Sequence, residues 1–362
     1  MKQICQQFRL EGTPILCTPF GNGHINRTWL VVTNASRLYV LQRINNAVFR
    51  DVPALMKNVS EVCRYLRWKS HDPRGAMEII PTVDSADCLS VPDADAPDGL
   101  AYYRMLTYVT GGVCLDLPES AEDLYQAGRA FGAFQRQLAD FPAALLVETI
   151  PHFHDTPDRF RQLHEALEED RAGRLAQVQP EVEALLSREG DGRLLMDLLH
   201  AERLPLRVTH NDTKLNNVML DEKTHQPLCV LDLDTVMPGL VANDFGDAIR
   251  TGAATAAEDE TRLGLMGLSL PMYSAFTEGF LSACGDSLTP LEIETLPWGA
   301  RLMTLEVAVR FLTDHLNGDV YFAVHREGHN LDRCRAQLAL LTDMERQWET
   351  MCRIVQECAA KG

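Results

Sequence analysis

The chain has 362 residues, long for a single core, with an apolar fraction of 46% and a charged fraction of 23%, ordinary values for a soluble globular enzyme. Lys+Arg 34 against Asp+Glu 51 leave a net charge of −17, which excludes a general nucleic-acid surface. Any anionic ligand must then be met by locally concentrated cations or by a metal.

The opening MKQICQQFRL lacks the apolar core of a signal peptide. No apolar run of the roughly 18 residues needed to span a membrane occurs. The 10 cysteines show neither a CxxC pair nor metal-ligand spacing. We therefore expect a cytoplasmic chain with reduced thiols. Residues 14–20, TWLVVT (28–33) and RLYVLQRI (37–44) carry the β-branched and aromatic residues of strands, and GNGHIN (21–26) forms the turn between the first two. Leu55, Val59, Val62, Cys63 and Leu66 recur at helical spacing over 52–69. EIIPTV (78–83), CLSV (88–91) and AYYRMLTYV (101–109) return to strand character, separated by the solvated loop PDADAPDG. The N-terminal part thus reads β-β-β-α-β-β-β, a small antiparallel sheet with one helix.

After Gly111-Gly112 the pattern turns helical. Leu124, Ala127, Phe131, Phe134 and Leu138 mark one face over 119–139, and further helices are predicted at about 157–171, 180–200, 258–283, 289–316 and 331–358. Asp155-Thr156-Pro157 and Thr289-Pro290 read as N-terminal caps. Three brief strands interrupt this region, in LRVTH, VMLD and PLCVLDLDTV. The fold class is α+β, with a β-rich lobe over 1–110, a linker near 107–112 and a mostly helical lobe over 111–362.

HNDTKLNN has the spacing H-x-D-x-K-x-x-N, which places Lys214 and Asn217 shortly after Asp212, with Asp232 further on in the apolar VLDLD. Phosphoryl transfer needs such a set: a carboxylate to take the acceptor hydroxyl's proton, a cation to offset charge on the γ-phosphoryl, and oxygen donors to hold Mg²⁺ against the phosphates. Asp212, Lys214, and Asn217 with Asp232 fill those roles in turn. HND alone reads equally well as a polar turn; the conjunction with the later residues favours chemistry. Asp234, two residues along the presumed strand, shares a face with Asp232 and joins the metal site or its surroundings. In GNGHIN, Gly21, Gly23 and Asn26 suit a backbone that approaches phosphates closely, although hairpin turns use the same residues. The triplet DFG at Asp244–Gly246 invites a metal role for Asp244. However, it follows a Pro-Gly turn and leads toward a helix, so Asp244 and Asp247 read as helix caps or as acceptors for the catalytic loop.

The order of Gly-rich hairpin, helix, linker, HxDxKxxN and strand Asp resembles the bilobal protein-kinase-like fold of aminoglycoside phosphotransferases and choline kinases. GNGHIN, YVLQRIN, FHDTP, RVTHNDTKLNN, DLDTVMPG, NDFGDAIR, TAAEDE and VRFLTDHLNGDVYF are similar to the bacterial N-acetylhexosamine 1-kinases across nearly the whole chain. That resemblance implies ATP and Mg²⁺ as cofactors, and as substrate the anomeric hydroxyl of N-acetylglucosamine or N-acetylgalactosamine, which Asp212 would face. It implies no nucleic-acid or membrane partner. His24, Arg310 and Tyr321 stand where the family grips the sugar; Arg310 also reads as an ion pair with Glu306, four residues earlier. The stretch before the linker corresponds to the kinase hinge, where backbone groups of Met105, Thr107 and Val109 would meet adenine. Two departures stand out. The third strand has Gln42 and then Arg43 where kinases place lysine, so Arg43 or Lys214 carries the phosphate charge, and Glu61 is a possible partner for Arg43. Thr251 replaces an expected aromatic wall. His154 and the remaining histidines read as surface or core-polar residues. The rival functions are a kinase of the same fold acting on an aminoglycoside, an amino alcohol or another sugar, and a catalytically dead nucleotide-binding scaffold.

Overall fold

The structure, a computed structural model, describes residues 1–21 and 25–361. A one-turn helix that periodicity does not announce, α1 (Lys2–Cys5), precedes β1 (Pro14–Pro19), β2 (Arg27–Thr33) and β3 (Leu38–Ile44). α2 (Val52–Lys69) follows, its first turn capped by Asp51, which accepts from the Ala54 amide at 3.0 Å. Next come β4 (Ile79–Ile80), β5 (Leu89–Pro92), β6 (Leu100–Thr107) and β7 (Gly112–Cys114). β4 is far shorter than EIIPTV promised, because Pro81 cannot donate to a ladder.

The main sheet is antiparallel in the order β1-β2-β3-β6-β4, with β5 also on β6. In the β3–β6 register Leu41 faces Met105 and Gln42 faces Arg104. Alternation sends Leu41, Tyr103 and Met105 into a core with Val31, Phe8 and Cys5, and turns Gln42 and Arg104 to the other face.

The remaining elements are α3 (Ala121–Gln137), α4 (Thr156–Glu169), α5 (Gln179–Leu186), α6 (Glu189–Gly192), α7 (Leu194–His200), β8 (Arg207–Thr209), β9 (Val218–Asp221) and β10 (Pro227–Val230). They continue as β11 (Met237–Gly239), α8 (Val241–Gly252), α9 (Leu270–Cys284), α10 (Pro290–Leu316), α11 (His329–Arg346) and α12 (Trp348–Ala359). Asp155 and Thr289 cap α4 and α10 as expected. Three predicted helices differ. The 180–200 stretch breaks into three pieces, at Ser187-Arg188 and at Arg193. The stretch 258–269 stays outside α9, whose start is set by Pro271 in its first turn. A non-helical Gln347 splits 331–358 into α11 and α12.

Two compact units result. The first comprises Met1–Val113, Asp140–Pro151 and Met219–Pro238; the second comprises Cys114–Ala139, His152–Val218 and Gly239–Gly362. The chain enters the first unit three times, where the sequence reading drew one boundary. Fully buried Asn58 on α2 gives a physical reason. Its amide nitrogen donates to the Val147 carbonyl at 2.7 Å and the Val236 carbonyl at 3.0 Å, and its oxygen accepts from the Val147 amide at 2.9 Å. Both late segments are thereby tied to the helix by bonds that would be costly to leave unmade.

In the second unit, Phe160, Leu163, Leu185, Leu302, Leu312, Leu316 and Leu341 form the main core among α4, α5, α10 and α11. α3 crosses α9 at short range because Gly128 and Gly132 lie against the Phe276 and Phe280 carbonyls, where a Cβ would collide. All ten cysteines are free thiols, and burial pushes Cys5 and Cys63 up to about 12.

The start of α10 generates an acid-sensitivity prediction. Glu292 closes a capping box with Thr289 and receives Arg207 through both oxygens, at 2.5 and 2.8 Å. Burial alone would raise its carboxyl, but Arg207 and the Thr289 amide outweigh that and hold it below the ordinary glutamate value. A depressed folded pKa means that the stabilisation is intact above the ordinary value of about 4.5 and is lost as pH falls through the folded one. Melting temperature should therefore hold from neutral pH to about pH 5 and decline below about pH 4. Glu292→Gln should remove part of that acid response and cost about 3 kcal/mol at neutral pH. Thermal melts of both proteins across pH are the check.

Candidate active site

β8 delivers the chain into the loop His210–Asn217, and in the second unit α8 holds that loop by its backbone. Asp244 accepts from the amides of His210 and Asn211 at 2.9 and 2.7 Å, and Asp247 accepts from that of Thr213 at 2.9 Å. The Thr213 hydroxyl donates to the Asp244 carbonyl at 2.5 Å. Asn211 has φ +65°, a left-handed conformation that asparagine tolerates better than most residues. The His210 ring packs edge-on to Phe131 and Phe134, and its Nδ1 accepts from the Asp212 amide at 3.3 Å.

Between these anchors Asp212 is presented with the two partners the spacing predicted. Lys214 Nζ lies 2.7 Å from its Oδ1, and Asn217 Nδ2 donates to its Oδ2 at 3.1 Å and its carbonyl at 2.8 Å. Loss of solvent works against the Lys214 charge, but Asp212 and Asp247 outweigh it and hold the ammonium above its ordinary range.

The DFG triplet lies inside α8, whose N-cap is Leu240. Asp244 and Asp247 are therefore not caps; of the two sequence readings, the catalytic-loop acceptors are what the structure forms. Burial raises the Asp244 carboxyl. Asp247 is equally buried, yet Arg250 and Lys214 bring it below the ordinary aspartate value. Arg250 in turn spans Asp247 at 2.9 Å and Glu258 at 2.5 Å. Phe245 packs among Tyr273, Phe276 and Phe280. Gly246 lies on the Gly299 carbonyl of α10, so close that a Cβ would overlap it. Thr251, near the end of α8, turns its hydroxyl back on the Asp247 carbonyl at 3.0 Å.

The first unit holds the other half of the prediction. β10 ends at Val230, so Asp232 does not finish a strand: it is exposed, at φ +53°, and leads a 3₁₀ turn over Leu233–Thr235. Period-two alternation does not apply there, and Asp234 does not share a strand face with Asp232. Asp234 is buried instead, paired with Arg104 of β6 and accepting from Asn26 Nδ2 at 2.5 Å. Both of its oxygens are thus engaged, which argues against its predicted metal role. Asn26 is engaged likewise, since its Oδ1 accepts from the Asn45 amide at 3.0 Å.

Arg104 is the residue sequence reasoning missed. It lies opposite Gln42, donates from its Nε to the Gln42 side-chain oxygen at 2.9 Å and keeps its charge despite full burial, because Asp234 and Asp232 oppose the desolvation. The available signal was one cation inside the apolar run AYYRMLTYV. Arg43, the predicted phosphate cation, points to the opposite sheet face and pairs with Asp93 at 2.5 Å. Glu61 pairs with Arg64 at 2.6 Å, not with Arg43.

Of the hinge residues, Met105 is laddered to Leu41 on one side and Ile80 on the other, and the Thr107 amide donates to the Glu78 carbonyl at 2.9 Å. Val109 lies beyond both ladders. Gly21 has φ +76°, with space around its α-carbon; Gly23 and His24 lie outside the described residues.

A second cluster in the second unit surrounds fully buried Glu306. Arg310 lies 4.0 Å from it, 3.4 Å from the Tyr321 hydroxyl, and over the rings of Phe153, Tyr321 and Phe322. Arg159 is close enough for Arg310 to depress it, after burial, and it donates to the Phe153 carbonyl at 2.8 Å. The ion pair with Glu306 is a long one, and the guanidinium is held among three aromatic rings.

Among the described residues no group of three or more His, Cys, Asp or Glu side chains gathers to hold a metal. Magnesium asks for less, one or two protein oxygens with the rest from water and phosphates. In the second unit Asn217 turns its Nδ2 to Asp212 and keeps its amide oxygen as a hard donor; in the first unit Asp232 carries an exposed carboxylate. Each by itself is a ligand type that suits magnesium.

A family model described as "Phosphotransferase enzyme family" matches residues 16–276. Among solved structures, a microcompartment-associated aminopropanol kinase is 16% identical, with 97% of each chain covered and a TM-score of 0.60. An amicoumacin kinase in complex with AMP-PNP, Ca²⁺ and Ami is 13% identical over 94% of this chain and 93% of that one, with a TM-score of 0.64. A Plasmodium vivax ethanolamine kinase is 14% identical over 89% and 82%, with a TM-score of 0.57. At these identities the likeness is one of fold, and it bears out the α+β, kinase-like expectation.

The α8 arrangement can be tested directly. Asp244→Ala leaves buried amides without an acceptor, at about 1–3 kcal/mol each. Gly246→Ala forces α8 off α10, at about 1–3 kcal/mol for overpacking. Urea unfolding of both variants checks this; stability equal to wild type in either would remove that residue from the scaffold.

Proposed function

The chain belongs to the phosphotransferase enzyme family, and from that membership we propose an ATP- and Mg²⁺-dependent kinase acting on the C1 hydroxyl of N-acetylglucosamine or N-acetylgalactosamine. The observation that carries the substrate assignment is the Glu306 cluster. Arg310 and Arg159 lie close enough to act on one another beside buried Glu306, with Asp158 also acting on Arg159, and the Arg310 guanidinium lies over Phe153, Tyr321 and Phe322. In a chain of charge −17 two guanidiniums this close concentrate positive charge locally. It repels the ammonium group of an amino alcohol or aminoglycoside and offers donors to ring hydroxyls and an acetamido carbonyl.

The chemistry follows from the loop. Asp212 takes the proton of the attacking hydroxyl, and the amides fixed on Asp244 and Asp247 keep its carboxylate in place while it does so. Lys214, paired with Asp212 before substrate arrives, supplies positive charge near the transferring group. Asn217 and Asp232 would hold a magnesium ion, whose contribution is to neutralise charge on the phosphates. Arg104 is committed to its buried ion pair with Asp234 and is given no role on the nucleotide. The second reading, a kinase of small amines, is favoured by the names of the aminopropanol and ethanolamine kinases that share the fold.

An ADP-release screen over N-acetylglucosamine, N-acetylgalactosamine, glucose, galactose, choline and an aminoglycoside separates the two readings. We expect turnover on the N-acetylhexosamines and an acid-labile, non-reducing 1-phosphate by phosphorus NMR; turnover confined to choline or the aminoglycoside would replace this reading with the second. Asp212→Asn should keep ATP binding and lower kcat by about two to four decades. Asp232→Asn should abolish turnover beyond rescue by excess Mg²⁺ or Mn²⁺, whereas Asp244→Asn should lower stability and leave the metal requirement unchanged. A metal titration that shifts for Asp244→Asn and not for Asp232→Asn reverses the assignment.

A further inference from the structure

His154 precedes α4 and is almost wholly buried. Its Nδ1 lies 3.0 Å from Glu306 Oε1 on α10, and its Nε2 lies 3.2 Å from the Asn211 carbonyl oxygen in the catalytic loop. Both partners are acceptors. Glu306 is buried, which by itself would raise its carboxyl, but His154, Arg310 and Arg159 bring it below the ordinary glutamate value. A carboxylate on one side and a peptide carbonyl on the other call for an N–H on each ring nitrogen.

The Asn211 carbonyl belongs to the peptide that joins Asn211 to Asp212. The N–H of that same peptide donates to His210 Nδ1. The two edges of the peptide plane are therefore held by two different histidines. A turn about the bond from the Asn211 α-carbon to its carbonyl carbon would swing that plane and the Asp212 α-carbon together, and Asn211 already holds a left-handed φ that an unrestrained loop would readily leave. His154 is itself held in place. Asp155 caps α4 by accepting from the Asp158 amide at 3.1 Å, Arg159 fixes the Phe153 carbonyl, and the Phe153 ring packs on the imidazole with centroids 4.5 Å apart. The charged groups around it are Glu306 and Arg310 from α10, Arg159 from α4 and Asp247 from α8.

We propose that His154 is a positioning residue: it locks the Asn211–Asp212 peptide in the orientation that presents Asp212, and through Glu306 it ties that lock to the Arg310 cluster. The inference rests on Asp212 as the base. It explains why a glutamate with no reach to the catalytic loop is wholly buried beneath Arg310, and it links the acceptor corner to the catalytic loop by a single imidazole.

The experiment combines a spectrum with kinetics. In ¹⁵N-histidine-labelled wild-type protein, assigned by loss of its signals in His154→Gln, the His154 ring should show two proton-bearing nitrogens, and Glu306→Gln should reduce them to one. One proton-bearing nitrogen in the wild type would overturn the proposal. His154→Gln should lower kcat roughly ten- to a hundredfold per ATP-binding site, with KM for ATP unchanged. A kcat within twofold of wild type would overturn it as well. If His154→Gln does not fold, Glu306→Gln supplies the ring assignment by the change it makes and the wild-type ring decides. Asp212→Asn measured alongside separates the two claims: full turnover there removes the base assignment, and with it any meaning of positioning, whatever the ring shows.

Discussion

Peptide N–H groups of the catalytic loop end on two buried carboxylates of one helix, and the rest of the site depends on that attachment. The His210–Asn217 loop, irregular over most of its length, cannot satisfy its own backbone, and unpaired buried amides are expensive. α8 meets the need with Asp244 and Asp247, spaced so that both face the loop. The two carboxylates are not equivalent: burial dominates at Asp244, while Arg250 and Lys214 prevail at Asp247. The helix must itself be held at fixed height. Gly246 against Gly299 and Phe245 among the α9 aromatics do this, so that the loop's geometry is inherited from helix packing.

Much of this was legible from residue spacing. The three residues of the HxDxKxxN box that touch one another in the structure, Asp212, Lys214 and Asn217, are close in sequence, so their conjunction could be read directly. The early strands, α2 and the caps at Asp155 and Thr289 were legible for the same reason, since period and capping are local properties. DFG was read as caps or loop acceptors in place of a metal motif, and its acidic residues are loop acceptors and not caps; a cap requires the helix to begin after the aspartate, and α8 begins before it.

What was not legible depends on contacts between distant residues. Arg104 and Asp234 are far apart in sequence, and nothing local marks a strand arginine as the partner of a later aspartate. The period-two rule failed at Asp232 and Asp234 because a 3₁₀ turn intervenes. Asn58 looks like any polar residue on α2, yet it decides which unit two later segments join. His154 was left among residues read as surface or core-polar because its partners, Glu306 and Asn211, lie in other elements. Position 43 misled for a simpler reason: the strand alternates, and Arg43 lies on the face opposite Gln42 and Arg104, paired with Asp93.

The left-handed backbone at Asp232 bears on how this chain can change over time. A residue with a Cβ sits at φ +53° only with some strain, which glycine would relieve and asparagine would tolerate better. If that carboxylate faces the metal, the replacements most comfortable for the backbone are those that silence the enzyme. Selection for thermal robustness alone would then drift toward an inert fold, so that only selection for turnover would hold an aspartate at this position.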